Sequence, residues 1–376
     1  MTVDCAIVAI AKNESCFVEE WINYHRVVGF DRIYLYDNGG PEDESLDFLM
    51  EKYSDLVTLT KLPGPGRQSA AYRHFCEHYK NETRWVAFID LDEFIVFHKH
   101  ANAAGFLSEF EGLETIGLTW LMFGHSGHEK RPTGLVMDDY TWRYPFSFPQ
   151  VKTLCLASAV TEILSVHNVN HKARLINGFD LEGADKVSVL SEGNRFRTDL
   201  DTTATVSINH YFSRSLEDIA NKLSRGSAAG TVNRSFDWFF SKKEVFNSTL
   251  DMTGPRLLRE WANSNHNRCS YYRNNSKIVD QTFKHVIADD FDADWYGNFY
   301  PDLNMQRLSV DELKNHFSAV GALEDRAWNQ RVWSERFFDP ARYRSIHGDL
   351  TALDNCSARY HYFVAGRFEG RELFSK

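Results

Sequence analysis

The sequence predicts an α/β protein: a mostly parallel, Rossmann-like sheet with helices on both faces, followed by a small, mainly helical module. Three observations predict it. The first hundred residues alternate short apolar runs with segments of helical period, the signature of strands joined by helical crossovers. A pattern of about 45 residues occurs twice near the C-terminus. No stretch approaches the roughly 18 consecutive apolar residues of a membrane-spanning helix.

The elements follow in order. CAIVAIA (5–11) is a continuous apolar run, suited to a strand buried on both faces. From Ser15, the residues Val18, Trp21, Ile22, His25 and Val28 recur at helical spacing, with Glu19 and Glu20 in the first turn and Gly29 as the stop. DRIYLYD (31–37) is a second strand, closed by the turn NGGPEDE. A helix over 43–53 leads to the strand LVTLTKL (56–62). The breaker PGPG then precedes a helix over 68–79, and WVAFID (85–90) is the fourth strand. Beyond residue 115 the pattern loosens. TIGLTWLMFG (115–124) reads as a strand before the loop HSGHEKRPTG, and TATVSINHYF (203–212) as another. SLEDIANKLSRG (215–226) reads as a helix capped by Ser215, with Asp218 three residues on.

In the C-terminal pattern, FDADWYGNFYPDL (291–303) aligns with FDPARYRSIHGDL (338–350), and HFSAVGALEDR (316–326) with HYFVAGRFEGR (361–371). Two copies are too few for a solenoid, which predicts an appended module. The expected domains are thus 1–230, an aromatic and polar extension over 231–285, and a module over 286–376 with repeats at 291–326 and 338–371.

Of the 376 residues, 43% are apolar and 25% charged, an ordinary globular balance, and 14% are aromatic. The 42 basic and 52 acidic residues give a net charge of −10, which argues against a dedicated nucleic-acid binder. Asp4 interrupts the first apolar stretch and no basic residue precedes it, so no secretory leader is expected. The six cysteines are scattered without a CxxC pair, predicting reduced thiols rather than disulfides or a zinc site. The expectation is a cytoplasmic protein, with peripheral membrane contact left open and no signal for its oligomeric state.

The chemistry-bearing stretch is WVAFIDLDEFIVF (85–97), where Asp90, Asp92 and Glu93 interrupt an apolar run. Buried carboxylates are costly unless a positive group meets them. In open parallel sheets ligands bind outside the carboxyl ends of the strands. Those ends here are Lys12-Asn13-Glu14, Asp37-Asn38, Pro63–Gly66 with Arg67 following, and Asp90-Leu91-Asp92. On an extended chain Asp90 and Asp92 point the same way. That predicts an oxygen-rich site for Mn²⁺ or Mg²⁺ bridged to phosphates; the alternative is a pair of turn-capping carboxylates. Asp37 suits a base or ribose, or caps its turn. Arg67 and Arg73 suit phosphates, or lie on a solvated face. Asn13 and Glu14 hold the base, or cap the helix at Ser15. No GxGxxG or GxxxxGK[ST] pattern supports a dinucleotide or P-loop fold.

Taken together, AIVAIAKNESCFVEEWINYHRVVGFDRIYLYDNGGPED and the later WVAFIDLDEFIVF resemble the nucleotide-sugar domain of GT-A-fold glycosyltransferases, closest to the family-2-like and family-92-like group. The resemblance runs over roughly 3–230, through LTWLMFGHSG, the Lys152 region QVKTLCL, and INHYFSRSLEDIANKLSRG. It implies a metal-dependent glycosyltransferase that moves a sugar from a UDP-sugar to a saccharide or lipid-linked saccharide. By the same resemblance Asp37 contacts uracil or ribose, Asp90 ribose or metal, and Asp92 is the principal metal ligand, with His210, or else His167, completing the shell; the alternative for His210 is a satisfied core histidine. Lys222 and Arg225 are implied to neutralise the leaving diphosphate, or lie on a solvated helix face, and Glu93 is implied to support the metal from behind. The C-terminal repeat resembles a module appended to some bacterial polysaccharide glycosyltransferases, which implies surface-polysaccharide synthesis. The later ED dipeptide of family 2 is missing, so the base and the stereochemical outcome stay open among Glu129, Asp138 and Asp139. Two other classes stay open as well: a nucleotidyltransferase, and a non-catalytic carbohydrate-binding protein.

Overall fold

The structure, a computed structural model, describes residues 3–109, 114–160, 163, 166–167, 189–192, 195–198, 203, 205–225, 245–275, 290–304, 306, 308–353, 357–358, 361–367 and 369–373. The chain divides into two compact units. The first comprises Met1–Pro132, Trp142–Asn247 and Asn265–Tyr271; the second comprises Thr133–Thr141, Ser248–Ser264 and Tyr272–Lys376. The boundaries expected at 230 and 285 lie outside the described residues.

The first unit is built on strands β1 (Val3–Ala11), β2 (Arg32–Asp37), β3 (Val57–Lys61), β4 (Thr83–Phe88), β5 (Glu93–Phe97), β6 (Thr115–Phe123), β7 (Trp142–Leu156), β8 (Val189–Glu192), β9 (Arg195–Thr198) and β10 (Val206–His210). The sheet runs β3-β2-β1-β4-β7-β6-β10-β5. β1 pairs parallel with β2 and β4, β2 with β3, and β6 with β10. β7 runs antiparallel between β4 and β6, and β5 antiparallel to β10. The α/β class with a mainly parallel sheet is as the alternation predicts.

Local chemistry explains the elements. Residues Ala6 to Ala9 of β1 have no exposed surface, as a central parallel strand requires. Helix α1 (Ser15–Val27) stops at Gly29, whose φ of +101° is a left-handed value that glycine adopts without strain. From α1, the Trp21 indole donates to the Glu93 carbonyl at 2.8 Å and the Tyr24 hydroxyl to that of Ile95 at 2.9 Å, which ties the helix to β5. Helix α2 (Phe48–Tyr53) is shorter than the expected 43–53, because the turn before it is consumed by side-chain bonds to Asp37 and Asn13. Helix α3 (Gln68–His78) packs Ala71, Tyr72 and Phe75 on the alternate residues Ala6, Val8, Tyr34, Tyr36, Val86 and Phe88 of one sheet face. Helices α4 (Ala103–Ser108) and α6 (Leu216–Arg225) complete the part of this unit that bears on the site, while α5 (Val136–Asp139) belongs to the second.

Two features differ from the expectation. The apolar run at 85–97 is not one extended segment: β4 ends at Phe88, a turn carries residues 89–92, and β5 starts at Glu93. Strand β7 is absent from the elements read along the sequence. Its apolar residues alternate correctly at Trp142, Tyr144, Phe146 and Phe148, but Pro145 and Pro149 hide them, since proline disfavours a strand interior.

In the second unit the two repeats are built alike. Asp292 and Asp339 cap the helices α8 (Ala293–Phe299) and α10 (Pro340–Ile346), whereas α9 (Val310–His316) starts with a Ser309–Glu312 capping box. The Tyr296 hydroxyl meets His316 Nδ1 at 3.0 Å, and Tyr343 meets His361 Nδ1 at 3.2 Å. Arg326 pairs with Asp302 and Glu324, and Arg371 with Asp349 and Glu369. Gly321 and Gly366 each end a π-helical turn, and a Cβ on either would overlap the neighbouring tyrosine oxygen. Glycine therefore recurs there for lack of room. Helix α7 (Thr253–Asn263) belongs to the same unit; its Arg259 reaches Asp138 of α5 at 2.8 Å.

Candidate active site

The carboxyl ends of β1, β2 and β3 are knitted together by hydrogen bonds within the first unit. Asn38 donates from its backbone to the Ala11 carbonyl at 2.7 Å and from its amide to the carbonyls of Leu62 and Gly64 at 2.8 and 2.7 Å. Asp37, 2% exposed, accepts from Lys61 at 2.8 Å and from the N–H groups of Gly39 and Leu46. This is the turn-tying role, and both of its oxygens are engaged. Asn13, at φ 54°, donates to Asp43 and accepts from the Glu44 N–H, so it holds that loop and does not cap α1. The Ser15 N–H is instead bonded by Glu44.

The question set by Asp90, Asp92 and Glu93 has a structural answer. Across the turn at 89–92 the two aspartates take different cationic partners. Asp90 accepts from Lys152 of β7 at 2.8 Å and from Gln68, the first residue of α3. Asp92 accepts from Lys222 of α6 and lies 3.5 Å from His210 Nε2. Register explains the second cluster: His210, the last residue of β10, lies opposite Glu93, the first of β5. Two cations, 62 and 130 residues away in sequence, thus meet the two carboxylates.

The electrostatics follow from this packing. Burial raises Asp92, but Lys222, His210 and Arg214 outweigh it and hold its carboxyl well below the usual range. Glu93 has no exposed surface, and burial, reinforced by Asp90 and Asp92, pushes its carboxyl well above the usual range against the pull of Lys152. Burial favours neutral His210, and Lys222 adds to that against the pull of Asp92. Lys152 has no exposed side-chain surface; burial disfavours its charge, but Asp90 and Glu93 prevail and raise it.

Beside Asp92 lies a small cleft of about 30 Å³, well below the roughly 300–1,000 Å³ of a pocket shaped around a whole ligand. Its walls carry three acid–base pairs: Lys222 with Asp92, Arg214 with Glu14, and Arg131 with Asp218. Arg214, at φ 50°, stacks its guanidinium 3.6 Å from the Phe17 ring centroid, and that of Arg131 lies 4.9 Å away. Two strained non-glycine residues, Asn13 and Arg214, line one cleft, the clustering seen where backbone strain serves a site. Glu14, expected to cap α1 or hold a base, instead neutralises Arg214. Sequence reasoning missed Arg214, Arg131 and Gln68, and knew Lys152 only through the family resemblance. Lys152 had a signal of its own: a lone cation in an apolar run is the mirror image of the aspartates.

The remaining expected residues lie as follows. Arg67 and Arg73 are exposed on and before α3; Arg67 Nε donates to the Pro63 carbonyl at 3.1 Å. The Arg225 side chain lies outside the described residues. Glu129 is exposed on a loop whose carbonyl accepts from the Glu217 N–H at 2.9 Å. Asp138 and Asp139 belong to the second unit, where burial and then the charge of Asp138 lift Asp139 to about 7. The expected metal set of Asp90, Asp92 and His210 is not assembled. Each aspartate holds a lysine, and among the described residues no three His, Cys, Asp or Glu side chains converge on a metal position. As arranged, this donor set does not fit a divalent ion.

Residues 11–171 match the sequence model of glycosyltransferase family 92. A family-92 protein of Oryza sativa subsp. japonica is 30% identical over 141 residues, 36% of this chain and 24% of that protein. One of Ricinus communis is 26% identical over 190 residues, 49% of this chain and 34% of that one. The chain thus spans about a quarter to a third of the length of these curated relatives, both from plants. Residues 1–349 of S. aureus TarS, solved with UDP-GlcNAc, align with 86% of this chain and 89% of that one, at 14% identity and a TM-score of 0.33. Among the described residues no helix is long and apolar enough to cross a membrane.

Proposed function

We infer that this chain is a glycosyltransferase of the family-92 kind, using a nucleotide-sugar donor, a UDP-sugar in first place, and a saccharide or glycoconjugate acceptor. One observation carries the reading: the family-92 match over 11–171 contains Asn13, Glu14, Phe17, Asp92 and Arg131, which build one wall of the cleft. Surface-polysaccharide assembly is the context that the C-terminal repeats suggest, and the plant relatives add nothing to it.

In this reading the acceptor hydroxyl attacks the anomeric carbon. The bond from that carbon to the phosphate oxygen breaks, and the nucleoside diphosphate leaves with the electron pair. The charge that develops there falls to Lys222, Arg214 and Arg131 of the cleft wall, each of which also carries a carboxylate partner that the diphosphate must share it with. Asp92 acts as a positioning residue for Lys222. No step is assigned to a metal.

The test is UDP release from a panel of UDP-sugars, with pyrophosphate release from nucleoside triphosphates as the contrary result that would make the chain a nucleotidyltransferase. UDP release is expected to stay within twofold in excess EDTA, because lysines already balance both aspartates. A loss restored by Mn²⁺ would return Asp92 and His210 to a metal-binding role, with Lys222 displaced.

The acceptor proton must pass to a base. Glu129, on a loop of the first unit, is the carboxylate tested for this role, and Glu129→Gln is expected to lower kcat for transfer. An unchanged kcat would remove Glu129 as the base.

A further inference from the structure

The two repeats of the second unit provide an internal control. They share their caps, tyrosine–histidine bonds and arginine pairs, yet Trp295 and Phe299 of the first stand where the second has Arg342 and Ile346. The repeat therefore folds without aromatic residues at these positions. In the first repeat they nonetheless begin a ladder of rings at the surface. Trp295 stacks on Phe299, with centroids 4.4 Å apart and planes at 16°. Phe299 meets Trp333 at 5.5 Å, and Trp333 meets Phe337 at 5.1 Å. Phe299 is 41% exposed, Trp333 37% and Phe337 57%, against the normal burial of such side chains.

We propose that this ladder is a binding surface for a neutral oligosaccharide, whose pyranose rings lay their C–H faces on Phe299, Trp333 and Phe337.

Size and charge select this occupant. Each of these aromatic side chains offers about 150–250 Å², so the three together expose on the order of 300 Å². A stable protein–protein contact needs about 800 Å² per partner, so a second copy of the chain is too large a claim for this patch. Among the described residues the neighbouring cations are committed: Arg331 to Asp290 and Glu335, and Arg336 to Asp325. Such a patch holds little unpaired positive charge with which to recruit a phosphate or an anionic membrane, while its paired polar groups can hydrogen-bond sugar hydroxyls. The choice of a saccharide over a proline-rich peptide, which also docks on aromatic surfaces, rests on the transferase reading.

The test is titration of the full chain with cellohexaose, maltohexaose, xylohexaose and chitohexaose, followed by calorimetry and tryptophan fluorescence. At least one is expected to bind saturably. Trp295→Arg with Phe299→Ile, the residues that the second repeat already carries, combined with Trp333→Ala, is expected to weaken it at least tenfold without changing UDP release. The converse is expected of Asp92→Asn, with lost UDP release and unchanged hexasaccharide binding, so failure of the transferase reading and failure of this one are separable. The proposal is overturned if no hexasaccharide binds the folded protein at 10 mM, or if binding survives in the triple variant. It is equally overturned if the variant converts a dimer to a monomer, or if a proline-rich decapeptide or anionic vesicles bind the ladder instead.

Discussion

Lys152→Met is expected to cost about 1–3 kcal/mol of folding stability, read as the urea midpoint of unfolding. The ammonium has no exposed surface and sits 2.8 Å from Asp90 and 3.7 Å from Glu93. Removing it leaves Asp90 without its ionic partner, though the carboxylate, 34% exposed, keeps part of its hydration and the cost stays below that of a fully buried charge. A native protein holds only about 5–15 kcal/mol in all, so the loss is a sizeable share of the total. Asp90→Asn added to Lys152→Met should recover part of the loss, because the stranded charge goes with it. A cost under about 1 kcal/mol for Lys152→Met would mean that the pair does not form in solution. Asp90 would then be free for the metal role that its sequence position suggests.

Lys222→Met is expected to lower kcat for UDP release by roughly 10²–10³, the usual effect of deleting one donor aimed at developing charge. The lysine lies on the wall of the cleft, bonded to Asp92 and to the Phe212 carbonyl at 3.2 Å, with its ammonium 4.6 Å from the Phe212 ring centroid. These contacts hold the charge at one point, so little reorganisation is needed when a diphosphate leaves. Lys222→Arg keeps the charge but changes its shape, and an intermediate rate is expected. Folding should survive in both variants, since His210 and Arg214 still face Asp92. Activity within fivefold of wild type in Lys222→Met would remove this lysine from the mechanism and leave the role to Arg214 and Arg131.

How much of this was legible beforehand differs from element to element. β1, α1, β2, β3 and α3 were readable within a residue or two at most of their boundaries, because burial on both faces writes a continuous apolar run and amphipathic packing writes a helical period. β7 was not, because its prolines mask the alternation. The need for positive charge at Asp90 and Asp92 was legible from their apolar flanks. Its supplier was anticipated as a metal ion, yet the side chains that meet them are two lysines. Arg214 carried no local signal at all, for its partner Glu14 is 200 residues away.

The sequence by itself determined the parallel sheet, the repeats and the place where charge would have to be balanced, since each depends on contacts or desolvation costs local to a segment. Only the tertiary structure decided which cation balances which carboxylate, that Asp90 and Asp92 take different lysines, and that Arg131 and Arg214 share the ring of Phe17. The physical reason is range. Burial is imposed on each residue by its own hydrophobic surroundings, whereas an ion pair is chosen by chain closure, here across 62, 130 and 200 residues, which no local pattern encodes.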